Sequence, residues 1–290
     1  MHTSAAKIDG SRSRDQRLAC HLPAEHSLAV LVGAATPENI DFNRFHVEQC
    51  DEVLQRLLRV RHPSMLAEAR SVAFVQLHML ESRLRTIALA TKGFMPPDEG
   101  DALYAAAIDA CTNLPGLPLV EIGSYCGRST VWLGAAAKKC GVKLHAVDHH
   151  GGSEENQVGW EWHDSDVVND AGRIDTLPFF RDTMRRAELT DAVQEWIGDS
   201  HTIGRSWQQP VALCFIDGGH GRAVARGDYE AWSGHVAPGG SLAIHDVFAS
   251  ADEGGQAPYE EIYVPAISSG RFEEISRTGS LRVLRRLSGG

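Results

Sequence analysis

Short apolar runs alternate with amphipathic stretches from about residue 117 onward. The runs at 117–122, 142–147, 192–197, 211–216 and 241–244 are too short for helices and read as buried strands. Between them, 98–113, 129–139, 179–187 and 222–232 carry the spacing of helices that bury one face. This alternation predicts an α/β domain, with a doubly wound parallel sheet covered on both faces. The last two runs, 272–278 and 281–286, alternate apolar and polar residues around Gly279-Ser280, which predicts a hairpin. In such sheets ligands bind beyond the carboxyl ends of the strands. The polar groups at those ends are Glu121 with Gly123, Asp148, Asp199, Asp217 and Asp246. Two long connections also stand out. Residues 149–174, with Trp160, Trp162, His163, Asp164 and Asp166, read as a functional loop suited to sugar rings and hydroxyls. Residues 233–240 read as a turn before the fifth strand.

Upstream the pattern is helical. Leu66, Ala69, Ala73, Leu77, Leu80, Leu84 and Ile87 recur at steps of three and four, one face of a helix within 51–92. Pro63 separates it from an earlier helix, and Lys92-Gly93 is the expected stop. Residues 23–96 are therefore expected to form a helical cap packed on the domain at 97–290. A substrate lid or a homo-oligomer interface is the sharper alternative. Residues 1–22 are polar, with little to bury, and read as a flexible tail.

Composition narrows the classes. Over 290 residues, 43% hydrophobic and 23% charged content excludes a fully disordered chain. A net charge of −10 disfavours a nucleic-acid partner. No apolar run is long enough to span a bilayer. The six cysteines are scattered without metal-like spacing, and the first residues lack the apolar core of a secretory signal. The expectation is a cytoplasmic protein with reduced thiols.

The chemistry concentrates in two motifs. Glu121-Ile-Gly-Ser-Tyr-Cys-Gly127 follows the first strand and opens a helix whose free N–H groups suit a ligand. Its spacing is GxxxG, not the GxGxxG of dinucleotide-binding folds, and no Gly-Lys-Ser/Thr follows. The second motif is Asp217-Gly-Gly-His220. Its imidazole has a reference pKa of about 6.5, suited to removing a proton near neutral pH. A zinc hydrolase using His149, His150, Asp217 and His220 rests on ligand type alone, because adjacent histidines lack the helical spacing of HExxH.

Glu121 to Gly127 resembles motif I of class I S-adenosylmethionine (SAM) methyltransferases. Phe215-Ile-Asp-Gly-Gly-His220, Asp228, Ala237-Pro-Gly-Gly240 and Ile244-His-Asp246 resemble a subgroup of small-molecule and sugar O-methyltransferases. The resemblance covers about 118–246. It implies a Rossmann-like sheet of seven strands ending in an antiparallel hairpin, SAM as cofactor, and a small-molecule or glycan acceptor. It assigns the methionine part of SAM to the turn holding Gly123, Ser124, Tyr125, Gly127 and Ser129, with Glu121 near the ammonium or holding the loop. Asp148 falls to the ribose and Asp199 or Ser200 to the adenine. His220 and Asp217 become the catalytic pair. The related sugar-modifying enzymes hold Mg²⁺ by carboxylates, to which Asp217 and Asp246 correspond. His245 stands where some relatives have another carboxylate, and Glu154, Glu155 and Asn156 offer further oxygens. A nicotinamide-dependent oxidoreductase and a non-catalytic SAM-binding regulator are the competing functions.

Overall fold

The computed structural model describes residues 79–160 and 162–289. The expected tail at 1–22 and the helical repeat up to residue 78 lie outside the described residues. So does the stretch proposed for a lid or an oligomer interface, apart from its last turns. There, helix α1 (Ser82–Ala90) ends at Ala90, two residues before the expected stop, and buries Leu84 and Ala88. Helix α2 (Pro97–Asn113) starts on Pro97, whose missing N–H is no loss at the first helical position.

The strands and helices then alternate as the pattern predicts: β1 (Leu119–Ile122), α3 (Arg128–Cys140), β2 (Leu144–Asp148), α4 (Leu177–Ala187), β3 (Val193–Ile197), α5 (Ser200–Ser206), β4 (Val211–Ile216), α6 (Arg222–Trp232) and β5 (Val236–Ile244). A short π-helical turn (Tyr259–Tyr263) runs into α7 (Val264–Ser268), and β6 (Phe272–Thr278) and β7 (Leu281–Arg286) form the terminal hairpin. The sheet order is β3-β2-β1-β4-β5-β7-β6. β1 to β5 are parallel, and β7 enters antiparallel between β5 and β6. The order reverses between β1 and β4, which opens a crevice above their carboxyl ends.

One boundary differs from the expectation. Residues 236–240 are not a turn: β5 begins at Val236, and only Ser233–His235 turns, as a short 3-10 helix. Val236 pairs with Val211 and Ser241 with Leu213, so Ala237 to Gly240 bulge out of the ladder. Pro238 has no N–H to donate, and Gly239 has φ +82°, which explains why the segment reads as a turn.

Two apolar layers hold the sheet. One joins Leu103, Trp132 and Phe180 to Leu119 and Phe215, and the other joins Trp207 and Trp232 to Val120 and Leu242. Every residue of β1 and β4 is buried, as a central parallel strand requires. Among the described residues no helix is long and apolar enough to cross a membrane.

Candidate active site

Lateral backbone bonds lock the strand ends. Gly123 N–H donates to the Val147 carbonyl, Asp217 N–H to Ile122, and His245 N–H to Ile216. Above them lies a cavity of about 660 Å³ whose wall includes Gly123, Asp148, Asp217, His220 and Asp246. Both sequence motifs therefore meet in one space.

The side over β1 and β2 is built largely from backbone. Gly123 has φ +87°, and a Cβ there would lie 2.0 Å from the Asp217 carbonyl oxygen, so the turn admits only glycine. The carboxylate of Asp148 accepts Tyr125 N–H at 2.8 Å and His150 N–H at 2.7 Å, one on each oxygen. Each oxygen keeps a lone pair for a diol. Ser124 Oγ is buried without a hydrogen-bond partner and lies on the same wall. An orphaned hydroxyl beside a carboxylate and a glycine turn fits the methionine and ribose parts of SAM. Tyr125 (φ 46°) and Asp246 (φ 55°) hold strained left-handed backbone at the cavity, as functional sites often do.

Of the two roles expected of Glu121, the structure shows the second, holding the loop. Glu121 does not face the cavity. It is fully buried, accepts Ser129 Oγ at 2.7 Å and Thr130 Oγ1 at 2.6 Å, and so ties β1 to the start of α3. Burial pushes its carboxyl up to about 8, against the lowering effect of the two hydroxyls, so it holds the loop as a neutral acid. Ser129 accordingly turns its hydroxyl inward. Asp199 lines the cavity but caps α5, accepting Thr202 N–H at 2.8 Å and Thr202 Oγ1 at 2.6 Å. Ser200 also lines it, with its hydroxyl donating to buried Asp228.

The side over β4 and β5 is a chain of acids and imidazoles. His220 stands between two carboxylates, with Nδ1 3.1 Å from Glu155 and Nε2 3.0 Å from Asp246. Burial alone would lower its pKa, but the two carboxylates prevail and raise it to about 10. His220 is thus an imidazolium at neutral pH, not the free base that its reference pKa suggests. Buried His245 sits behind it, with Nδ1 3.0 Å from Asp217 Oδ1 and 3.2 Å from Asp246 Oδ2. Its Nε2 lies 2.8 Å from Glu99 on α2. Burial opposes the charge on this ring too, but Asp217 and the other acids hold its pKa well above the ordinary value. Glu99 is fixed from the other side by Ser280 N–H at 2.8 Å and Ser280 Oγ at 3.0 Å, in the β6–β7 turn.

The donor atoms of Asp217, His220 and Asp246 lie within 4.8 Å of one another, compact enough for one ion. The donor set does not fit magnesium, which wants a near-octahedral shell of oxygens. His245 Nδ1 already lies against both carboxylates, His220 supplies nitrogen, and Asp246 Oδ2 is shared by both rings. Asp217 and Asp246, expected as metal ligands, each lie against an imidazole. Glu154 is exposed, and Asn156 caps its own 3-10 turn.

Sequence reasoning missed Glu99, whose pairing spans the whole domain, and Phe94, the ring beside Tyr125. It named Trp162 but not its partner. Phe94 lies 5.7 Å from Tyr125 and 5.4 Å from Trp162, between ring centroids. Phe94 lies two residues beyond Lys92, whose amine binds Asp164 at 2.5 Å and Asp166 at 2.9 Å in the long loop. That loop is ordered by two 3-10 turns, Glu154–Asn156 and Ser165–Val167.

Residues 120–247 match a family model described as a methyltransferase domain. The fold is shared with the O-methyltransferase NovP, at TM-score 0.52 and 14% identity over 66% of this chain and 81% of that one. It is also shared with the methyltransferase PaMTH1 of Podospora anserina, solved with S-adenosylhomocysteine (SAH), at TM-score 0.52 and 13% identity over 79% and 98%. At such identities the likeness speaks for the fold. Residues 120–247 thus match a methyltransferase domain, and the chain shares the fold of these two methyltransferases.

Proposed function

We propose that this protein transfers the methyl group of SAM to a hydroxyl of a saccharide or another polyhydroxylated small molecule in the cytosol. The carrying observation is that the Gly123 turn with Asp148 and the Asp217–His220–Asp246 cluster share one cavity. The four described cysteines are free thiols, in keeping with that compartment. NovP, which shares the fold, is an O-methyltransferase, and this supports oxygen as the acceptor atom.

SAM supplies a methyl on a sulfonium that leaves as a neutral thioether. The protein has to align the acceptor oxygen and remove one proton. Asp217 takes that proton: it ends β4 at the cavity wall, and His245 fixes its rotamer through Oδ1. His220, protonated between Glu155 and Asp246, donates no electron pair; it holds both acids in place. Asp148 orients the nucleoside and Ser124 its neighbour.

Calorimetry with SAH and a methyl-transfer assay test this reading. Asp217→Asn is expected to lower kcat by about 10²–10⁴ and His220→Gln by a smaller factor, with SAH affinity changed less than about threefold. Full turnover in both variants, or no SAH binding by the wild type, sinks the assignment.

A further inference from the structure

The cavity has a second wall that the transfer step does not use. Phe94, Tyr125 and Trp162 are neighbouring rings that line it. Phe94 is 53% exposed and Trp162 51%, although both line a concave site. Covering an exposed aromatic ring is favourable, so a half-wet pair inside a cavity points to a ligand face.

The wall is also pre-formed. Lys92 clasps Asp164 and Asp166, two and four residues beyond Trp162. His163 Nδ1 lies 2.9 Å from the Asn156 carbonyl, which pins the same loop to its own first turn. Tyr125 donates its backbone N–H to Asp148, so the wall begins where the candidate cofactor site ends.

Charge then limits what can lie there. Glu155, Asp217, Asp246 and Glu253 line the same cavity. Two Lys or Arg residues line the cavity among the described residues. Lys92 is held by its two aspartates. Arg128 Nη1 donates to the Gly93 carbonyl at 3.2 Å, and its Nε is buried without a partner. His220 and His245 each face carboxylates through both ring nitrogens. A phosphate or carboxylate on the acceptor would meet the three carboxylates of Glu155, Asp217 and Asp246 against the single guanidinium of Arg128.

We propose that the acceptor packs a ring against Phe94, Tyr125 and Trp162, and that the site takes uncharged hydroxylated rings and rejects anionic ones. Phosphorylated sugars, nucleotide-linked sugars and coenzyme A esters belong to the rejected class. The proposal rests on the methyltransferase reading and narrows its acceptor.

The test is calorimetry on the full chain saturated with SAH. Two matched pairs serve as probes: phenyl β-D-glucopyranoside with its 6-phosphate, and methyl gallate with gallate. The wild type is expected to bind a neutral member at least about tenfold tighter than its anionic partner, since like-charge juxtaposition is the usual means of rejection. Phe94→Ala and Trp162→Ala are expected to weaken that binding about five- to tenfold, while Phe94→Tyr and Trp162→Phe stay within about twofold of wild type. Unchanged SAH affinity in each variant shows that the fold is intact. Three results overturn the proposal: equal or tighter binding of the anionic partner, alanine variants that bind as wild type, or no neutral probe bound while SAH binds. A wild type that fails to bind SAH instead sinks the methyltransferase reading beneath it.

Discussion

The two halves of the cavity are built from different materials. Over β1 and β2 the ligand surface is mostly backbone: a glycine turn, the start of α3, and one carboxylate fixed by two N–H groups. Over β4 and β5 it is mostly side chain, an alternation of acid and imidazole from Glu99 through His245, Asp217 and Asp246 to His220 and Glu155. The first half depends on space, because no atom larger than hydrogen fits at Gly123. The second depends on charge balance, because four carboxylates in a half-buried cluster repel one another unless imidazolium groups lie between them. A backbone surface suits a constant ligand, and a side-chain cluster suits chemistry that varies between acceptors.

Gly123→Ala breaks the first half and has the largest expected effect. A Cβ there would lie 2.0 Å from the Asp217 carbonyl oxygen and 2.7 Å from its carbon, both backbone atoms. Strained positive φ and overpacking together cost roughly 2–6 kcal/mol, a large share of ordinary domain stability. The shift would also separate β1 from β4 at the crevice. Thermal unfolding should show a drop of several degrees or more, with SAH binding abolished. A variant that melts and binds as wild type would show that the turn has room that the geometry denies it.

The same contrast explains what the chain disclosed before folding. Parallel strands, the hairpin at 272–286 and strand-end residues follow from local periodicity, so Asp148, Asp217 and Asp246 were legible as site residues. Glycine spacing marked the Gly123 turn, since a tight turn leaves a local signature. The partners in the acid half were not legible. Glu99 reaches Ser280 across 181 positions, and His245 reaches Asp217 across 28. Nothing in a linear pattern says that a glutamate in the first turn of α2 faces a histidine at the end of β5. Protonation was hidden for the same reason. The reference pKa made His220 a base, and only the two carboxylates beside it make it a cation. Glu121 was half legible: its position fixed it to motif I, but only its burial shows that it holds the loop and does not contact the ligand.

Glu99→Gln perturbs the second half with its shape preserved, and its expected effect is intermediate. It removes the charge behind His245 while keeping an acceptor for Ser280. Bonds to charged buried groups are worth about 1.5–3 kcal/mol, so a loss of about 2 kcal/mol is expected. The pH dependence has a definite sign. Burial opposes ionisation of Glu99, but His245 lowers its pKa below 4.5, so its contribution is present above pH 4.5 and is lost as pH falls through the depressed value. The pKa of His245 is raised above 6.5, so its contribution is complete below pH 6.5 and is lost as pH rises through the raised value. The difference in melting temperature between wild type and variant should therefore be greatest between about pH 4.5 and 6.5, and should shrink on both sides. The variant should also lower kcat more than it raises KM, since Asp217 loses its anchor. A constant difference across pH would mean that the contact is packing and not an ion pair.

Magnesium gives the smallest expected effect, and its smallness is informative. If the acid half is balanced by His245 and His220, added Mg²⁺ or a chelator should change turnover less than about twofold, and calorimetry should show no saturable Mg²⁺ binding. His245→Asp replaces the nitrogen between Asp217 and Asp246 with oxygen, giving the cluster the donor type that magnesium accepts. That variant is expected to gain Mg²⁺ binding even if its turnover falls. The gain would show that the imidazole, not the cavity's shape, keeps the ion out. A wild type whose rate collapses with chelator and returns with Mg²⁺ would show the reverse. The cation that balances Asp217 and Asp246 would then be exchangeable, and the two halves of the cavity would differ less than their present side-chain partners indicate.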